Sequence, residues 1–164
     1  MYLIRVVIIC VKEIPDLPEL TTFGAYRCAN NTECLEPQYG SGPDKESIAN
    51  GFIDKEQYPK LLKFAKEKGV SIITEINGPG HARAAIKSMQ RRGDKNTLLY
   101  DENHQNDIES VQYFTDNVVN PCMESTFNFY DKVFKYLQTT HAEYVKEGFH
   151  DIVHLGGDEV LHCM

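Results

Sequence analysis

At 164 residues, 41% hydrophobic and 25% charged, the chain has the size and composition of one soluble domain with a sizeable core. Its 17 Lys and Arg against 24 Asp and Glu leave a net charge of −7. No basic stripe exists to neutralise phosphates, which argues against a nucleic-acid partner; the short basic stretch from Arg83 to Arg92 reads as a solvated helix face. No apolar run approaches the roughly 20 residues of a membrane span.

The opening "MYLIRVVIICV" makes a poor signal peptide, because its apolar stretch is short and a charged, proline-containing segment follows without a small-residue cleavage site. The β-branched run Val6, Val7, Ile8, Ile9 and Val11 reads instead as a buried strand, with Cys10 in the core. "KEIPDLPEL" then predicts an extended connection, its two prolines disfavouring helix. A long loop rich in Gly, Pro, Asn and Ser runs from Thr21 to about Asn50, a length that marks function or covalent restraint. In it, Cys28 and Cys34 of "YRCANNTECLEP" either close a small disulfide ring or stay free thiols of a cytosolic protein. Asn30 begins an Asn-Asn-Thr glycosylation pattern, and together these features lean towards an oxidising compartment.

"DKEQYPKLLKFAKEKG" predicts a helix burying Tyr58, Leu61, Leu62 and Ala65, with Asp54 as N-cap, Pro59 in the first turn and Gly69 as the stop. "VSIITEI" reads as a short buried strand ended by "NGPG". His81 opens the helical stretch "HARAAIKSMQRR", and a second long loop spans Gly93 to Asn120. "PCMESTFNFYDKVFKYLQTTHAEYVKEG" predicts a long amphipathic helix with Phe127, Tyr130, Val133, Phe134 and Leu137 on its core face. "DIVHLGG" is a third strand.

Strand, helix, strand, helix, strand implies parallel pairing through crossover helices, so the fold class is α/β. Three strands make a small open sheet or part of something larger. In such folds the site gathers at the carboxyl ends of the strands. One of those ends delivers Asn77 to His81, and another delivers Asp158 and Glu159. Neighbouring residues of a strand face opposite ways, so both acids reach one pocket only where the chain turns, as Gly156 and Gly157 permit. Paired carboxylates suit acid/base chemistry, one ionised and one protonated; the alternative is an acidic turn capping a helix. His154, Asp158, Glu159, His162 and Cys163 match no standard zinc spacing, and neither metal nor cofactor is expected.

"HLGGDEV" resembles the active-site signature of glycoside hydrolase family 20, the β-N-acetylhexosaminidases. "EINGPGHARAAIKSM" resembles its second motif. "EIPDLPELTTFGAYRC", "LEPQYGSGP", "SVQYFTDNVVNPCMES" and "FYDKVFKYL" are similar to the chitobiase-like branch, in the right order from about Glu13 to Glu159. The resemblance implies a TIM (β/α)8 barrel, of which residues 1–164 would be a fragment carrying about the second to fourth strands. It implies hydrolysis of terminal N-acetylglucosamine or N-acetylgalactosamine from chitin oligomers or glycoconjugates, in a secreted or lysosomal setting. Glu159 would be the general acid, delivered protonated. Asp158 would stay charged and hold the 2-acetamido group, whose carbonyl oxygen attacks the anomeric carbon, so the sugar supplies its own nucleophile. His81 would support the acid through a hydrogen-bonded relay. His154 reads as a supporting residue or as a satisfied buried histidine, Gly156 and Gly157 as structural, and Arg83 carries no assigned chemistry.

Three features depart from the family. Its His-Leu-(Ser/Thr)-Asp-Asp stretch is replaced by "IRVVIICV", Asn77 stands where Asp is common, and the chain has no tryptophan to wall a sugar pocket. A non-catalytic carbohydrate-binding remnant and a half-barrel interaction protein are therefore the competing readings, and the oligomeric state is open. Half a barrel exposes strand edges and an inner face meant for other strands. The isolated chain is accordingly expected to lack a sharp thermal transition and to leave a chromogenic N-acetylglucosaminide intact. A cooperative melt accompanied by turnover would refute that.

Overall fold

The computed structural model describes residues 2–7, 12–27, 35, 40–101, 113–146 and 152–160. Cys10, Cys28, Asn30, Cys34, His162 and Cys163 lie outside this set, and with them the disulfide and glycosylation expectations. The elements are β1 (Tyr2–Val7), α1 (Glu19–Thr22), α2 (Gln57–Glu67), β2 (Val70–Glu75), α3 (Arg83–Arg92), α4 (Glu124–Val145) and β3 (Val153–His154). The strands form one parallel sheet in the order β1-β2-β3, as the alternation of strand and helix predicts. Val7 pairs with Glu75, and Glu75 with His154, so the three strands reach the same level at their carboxyl ends.

Helix boundaries follow local chemistry. The Asp54 carboxylate accepts the backbone N–H groups of Glu56 (2.8 Å) and Gln57 (2.6 Å), while the Gln57 side chain accepts the Asp54 N–H (3.0 Å). This reciprocal capping box sets the turn from which α2 departs. Helix α3 stops at Gly93, whose φ of 71° suits the left-handed position after a helix. Among the described residues no helix is long and apolar enough to cross a membrane.

The main core packs α3 and α4 against the end of β2, through Ile76, Ile86, Met89, Phe129, Val133 and Leu137. Ile14, Leu17 and Leu20 join it from the segment before α2. That segment is not the extended connection its prolines suggest. Leu17 N–H bonds back to Ile14 O (2.8 Å), and α1 starts directly after Pro18, because a turn buries three apolar side chains that an extended chain would spread apart. Phe127 is a second correction. It lies 66% exposed, and the buried face of α4 is instead Phe129, Val133, Leu137 and His141.

A second cluster, Tyr58 and Leu62 packed against Ile72 and Tyr144, seats α2 on the same face of β2, nearer its start. The Tyr58 hydroxyl bonds to both Thr74 Oγ1 (2.5 Å) and His141 Nε2 (2.8 Å), tying α2, β2 and α4 together. Lys12 enters this cluster fully buried, its Nζ 3.3 Å from the Tyr58 ring centre and 4.6 Å from that of Tyr136. Among the described residues Nζ has no hydrogen-bond partner, and burial lowers its pKa from 10.5 to about 7. Between these values the unfolded chain binds a proton that the folded chain does not, so stability rises from pH 7 towards 10.5 and is flat below 7. Lys12→Met is expected to stabilise the chain at pH 7 by on the order of 2–4 kcal/mol and to remove this slope. Amide exchange of residues 57–75, corrected for intrinsic rates at pH 7 and 9.5, measures both locally, and a variant with the wild-type pH dependence would contradict the assignment.

Candidate active site

The site is built where β2 and β3 end. Ile76 N–H bonds to His154 O (2.9 Å), carrying the parallel pairing one residue past Glu75 before the chains diverge. From β2 the chain enters Asn77-Gly78-Pro79-Gly80, with a cis Gly78–Pro79 peptide, and reaches His81. From β3 it turns through Gly156 and Gly157, at φ 70° and 92°, and reaches Asp158 and Glu159. The two turns touch: a Cβ on Gly80 would lie 3.0 Å from Val160 Cγ2 and 3.2 Å from Asp158 O. Glycine at position 80 is what lets them close on one another.

His81 Nε2 lies 3.4 Å from Asp158 Oδ2 and 3.4 Å from Glu159 Oε2. The turn therefore brings both acids to one imidazole, as the sequence requires if they share a pocket. At 3.4 Å each contact is longer than a strong hydrogen bond, and the single Nε2–H can serve only one carboxylate at a time. The acid side chains are 63% and 49% exposed and His81 27%, so water screens the trio and it contributes little to stability. His81 and Glu159 also hold left-handed backbones, at φ 54° and 56°. Such conformations cost a non-glycine residue of order 1–3 kcal/mol and concentrate at functional sites.

His154 is half-exposed rather than a buried core histidine. Its Nδ1 accepts the Gly156 N–H (3.1 Å), leaving the neutral ring's proton on Nε2, and lies 3.3 Å from Glu75 Oε2. It thus braces the turn that presents the acids. Glu75 is a further buried acid at the site, and its signal in the sequence is its place near the end of the otherwise apolar "VSIITEI". Asn77 Oδ1 is buried against Gly156, with no hydrogen-bond partner among the described residues. On the helix-facing side of the same strand ends lies an apolar cavity of about 340 Å³ lined by Ile76, Pro79, Val119, Phe127, Tyr130 and Leu155, separate from the acid pair. Among the described residues no three or more His, Cys, Asp or Glu are arranged to hold a metal ion.

A parallel α/β unit that presents two acids and a histidine together at its strand ends is a scaffold for acid/base hydrolysis. Residues 11–163 match the family model described as glycosyl hydrolase family 20, catalytic domain, and the chain belongs to that family. It is 38% identical over 161 residues to N,N'-diacetylchitobiase of Vibrio harveyi, an alignment covering 90% of this chain and 18% of that protein. It is also 38% identical over 162 residues to a beta-hexosaminidase of Vibrio vulnificus, covering 90% and 19%. The structure superposes with a TM-score of 0.74 on a GH20 exo beta-N-acetylglucosaminidase from Vibrio harveyi in complex with N-acetylglucosamine, at 33% identity, covering 98% of this chain and 23% of that one. The chain thus spans about a fifth of the length of the relatives it matches.

Gly156 and Gly157 separate backbone from space. A Cβ on Gly156 would lie 2.5 Å from Asn77 Oδ1, whereas nothing lies within 4 Å of one on Gly157. Gly157→Ala should cost only the left-handed backbone, about 1 kcal/mol, and Gly156→Ala that cost plus a displaced turn. Amide exchange across residues 152–160 is expected to accelerate far more in Gly156→Ala. Equal effects would contradict the close packing of Asn77 on Gly156.

Proposed function

We propose that residues 1–164 form part of the catalytic barrel domain of a β-N-acetylhexosaminidase, supplying about its second to fourth strands. The parallel order β1-β2-β3, the apolar cavity beside Leu155 and Phe127, and the short share of each relative that the chain spans support this reading. The carrying observation is His81 Nε2 at 3.4 Å from both Asp158 and Glu159. The substrates would be chitin oligomers or glycoconjugates ending in N-acetylglucosamine or N-acetylgalactosamine. Such substrates, with Cys28, Cys34 and the Asn30 sequon of this sequence, fit a secreted or lysosomal protein.

Adjacent acids on one turn cannot flank a sugar from opposite faces, as a two-carboxylate scheme with an enzyme nucleophile requires. They suit a reaction in which the nucleophile belongs to the substrate. Asp158, charged, orients the 2-acetamido group and steadies the positive oxazolinium formed when its carbonyl oxygen attacks the anomeric carbon. Glu159 hands its proton to the glycosidic oxygen as the bond breaks. It then takes a proton from the water that opens the ring, so configuration at the anomeric carbon is retained. His81 sits between them, its Nε2 3.4 Å from each carboxylate, and orients the pair. His154 holds the turn through Gly156.

The reading is tested by exchange of parts. Residues 11–163 replace the corresponding segment of the Vibrio harveyi chitobiase, and the chimera is assayed on chromogenic and natural N-acetylglucosaminides. It is expected to turn over. Glu159→Gln should lower kcat about 10²–10⁴-fold on substrates with poor leaving groups and far less on activated aryl glycosides. Asp158→Asn should lower it on both. Equal turnover of glycosides lacking the 2-acetamido group would sink the proposal.

A further inference from the structure

The backbone that carries His81 is strained, and nothing in its own turn explains what holds it. A left-handed φ of 54° at a residue with a bulky side chain relaxes unless its flanks are fixed. Those flanks are fixed by the segment 113–120, part of the irregular stretch between α3 and α4. Val119 N–H donates to Pro79 O (2.9 Å), two residues before His81. Ala82 N–H donates to Asn117 O (2.9 Å), one residue after it. Asp116 ties the same segment to α3 through two basic side chains.

Asp116 Oδ1 accepts from Arg83 Nε at 2.7 Å and Oδ2 from Lys87 Nζ at 2.7 Å. All three side chains are largely buried, at 22%, 13% and 18% exposure. Arg83 also packs its guanidinium 4.8 Å from the Phe114 ring centre. Burial alone would raise the Asp116 pKa. Hydrogen bonds and charge from Arg83 and Lys87 outweigh it, and the carboxyl is held below its usual value. The clamp therefore grips α3 from two residues beyond His81, with charge-assisted bonds that burial shields from water.

We propose that Asp116 is a positioning residue for His81: by clamping Arg83 and Lys87 it holds the 113–120 segment against the 79–82 turn and keeps the imidazole between Asp158 and Glu159. Asp116 touches neither acid. It acts through the backbone bonds of Pro79 and Ala82. This rests on the reading of His81 as the support of the acid pair, but it is tested without turnover, so its failure and that of the hydrolase reading are separate events.

The test is a double-substitution cycle on the full chain, with ring-¹³C histidine read by NMR and the His81 signal assigned by its loss in His81→Gln. In the wild-type background, Glu159→Gln should shift the His81 ring resonance, since the carboxylate lies against Nε2. In the Asp116→Asn background that response should fall by at least half, and in Lys87→Met, which keeps the Arg83 arm, by a smaller amount. Asp131→Asn, which removes an exposed ion pair with Lys135 on α4, should leave it whole. A residue that only adds stability would leave folded molecules with the full response. A His81 resonance equally sensitive to Glu159 with and without Asp116 overturns the proposal, as does one insensitive to Glu159 in the wild type.

Discussion

Everything at this site depends on two parallel strands ending together. Glu75 pairs with His154, Ile76 N–H reaches back to His154 O, and beyond that point each chain is free to turn. Parallel strands present their carboxyl ends on one side of a sheet, so residues nearly 80 positions apart in sequence emerge as neighbours. A slip of one residue in this register would send Glu75 and His154 to opposite faces and lift the 156–160 turn off the 77–81 turn. The meeting of His81 with Asp158 and Glu159 is thus a property of backbone pairing first and of side chains second.

What the pairing brings close, small residues and strain then bring into contact. Gly80 admits Val160 and the Asp158 carbonyl, and Gly156 admits Asn77. His81 and Glu159 pay in backbone strain for their orientation. The ion contacts they gain are too exposed to repay it, so the energy comes from elsewhere in the fold. The packed interior of α3 and α4 against Ile76, and the buried clamp at Asp116, are the parts able to supply it. Site geometry here is held by its surroundings rather than by its own bonds.

The parts legible in the sequence are those written in local patterns. The parallel α/β order, the α2 capping box, the Gly93 stop and the turn after "HLGG" all follow from spacing and turn chemistry within a few residues. The meeting of His81 with the acid pair followed from one topological rule applied to two strand ends. What escaped notice depends on distant partners. Lys12 opens the "KEIPDLPEL" connection, where nothing local marks it as buried, and the Tyr58 and Tyr136 rings that cover it come from two helices. Phe127 fits the apolar stripe of α4, yet the neighbouring surface leaves it exposed, and Phe129 takes the core place. Asp116 sits in a polar stretch whose order comes from α3, about 30 residues away in sequence.

Strand β2 shows how one segment serves both needs. Alternation sends Thr74 to the helix layer, where it completes the Tyr58–His141 network, and sends Glu75 to the other face, where it meets His154. The helix-facing network contains hydroxyls, an imidazole and the Lys12 amine, all buried, and fixes how α2 and α4 seat on the strand. The opposite face carries the buried Glu75 carboxylate against His154, and beyond it His81, Asp158 and Glu159, which stay partly in water. The pleat therefore divides the polar groups into one set that orders the helix layer and another that leads to the acid-bearing turn. Because adjacent residues of a single strand feed both sets, the position of Glu75 beneath the acid-bearing turn is set by packing one residue earlier, on the side of the sheet the site does not use.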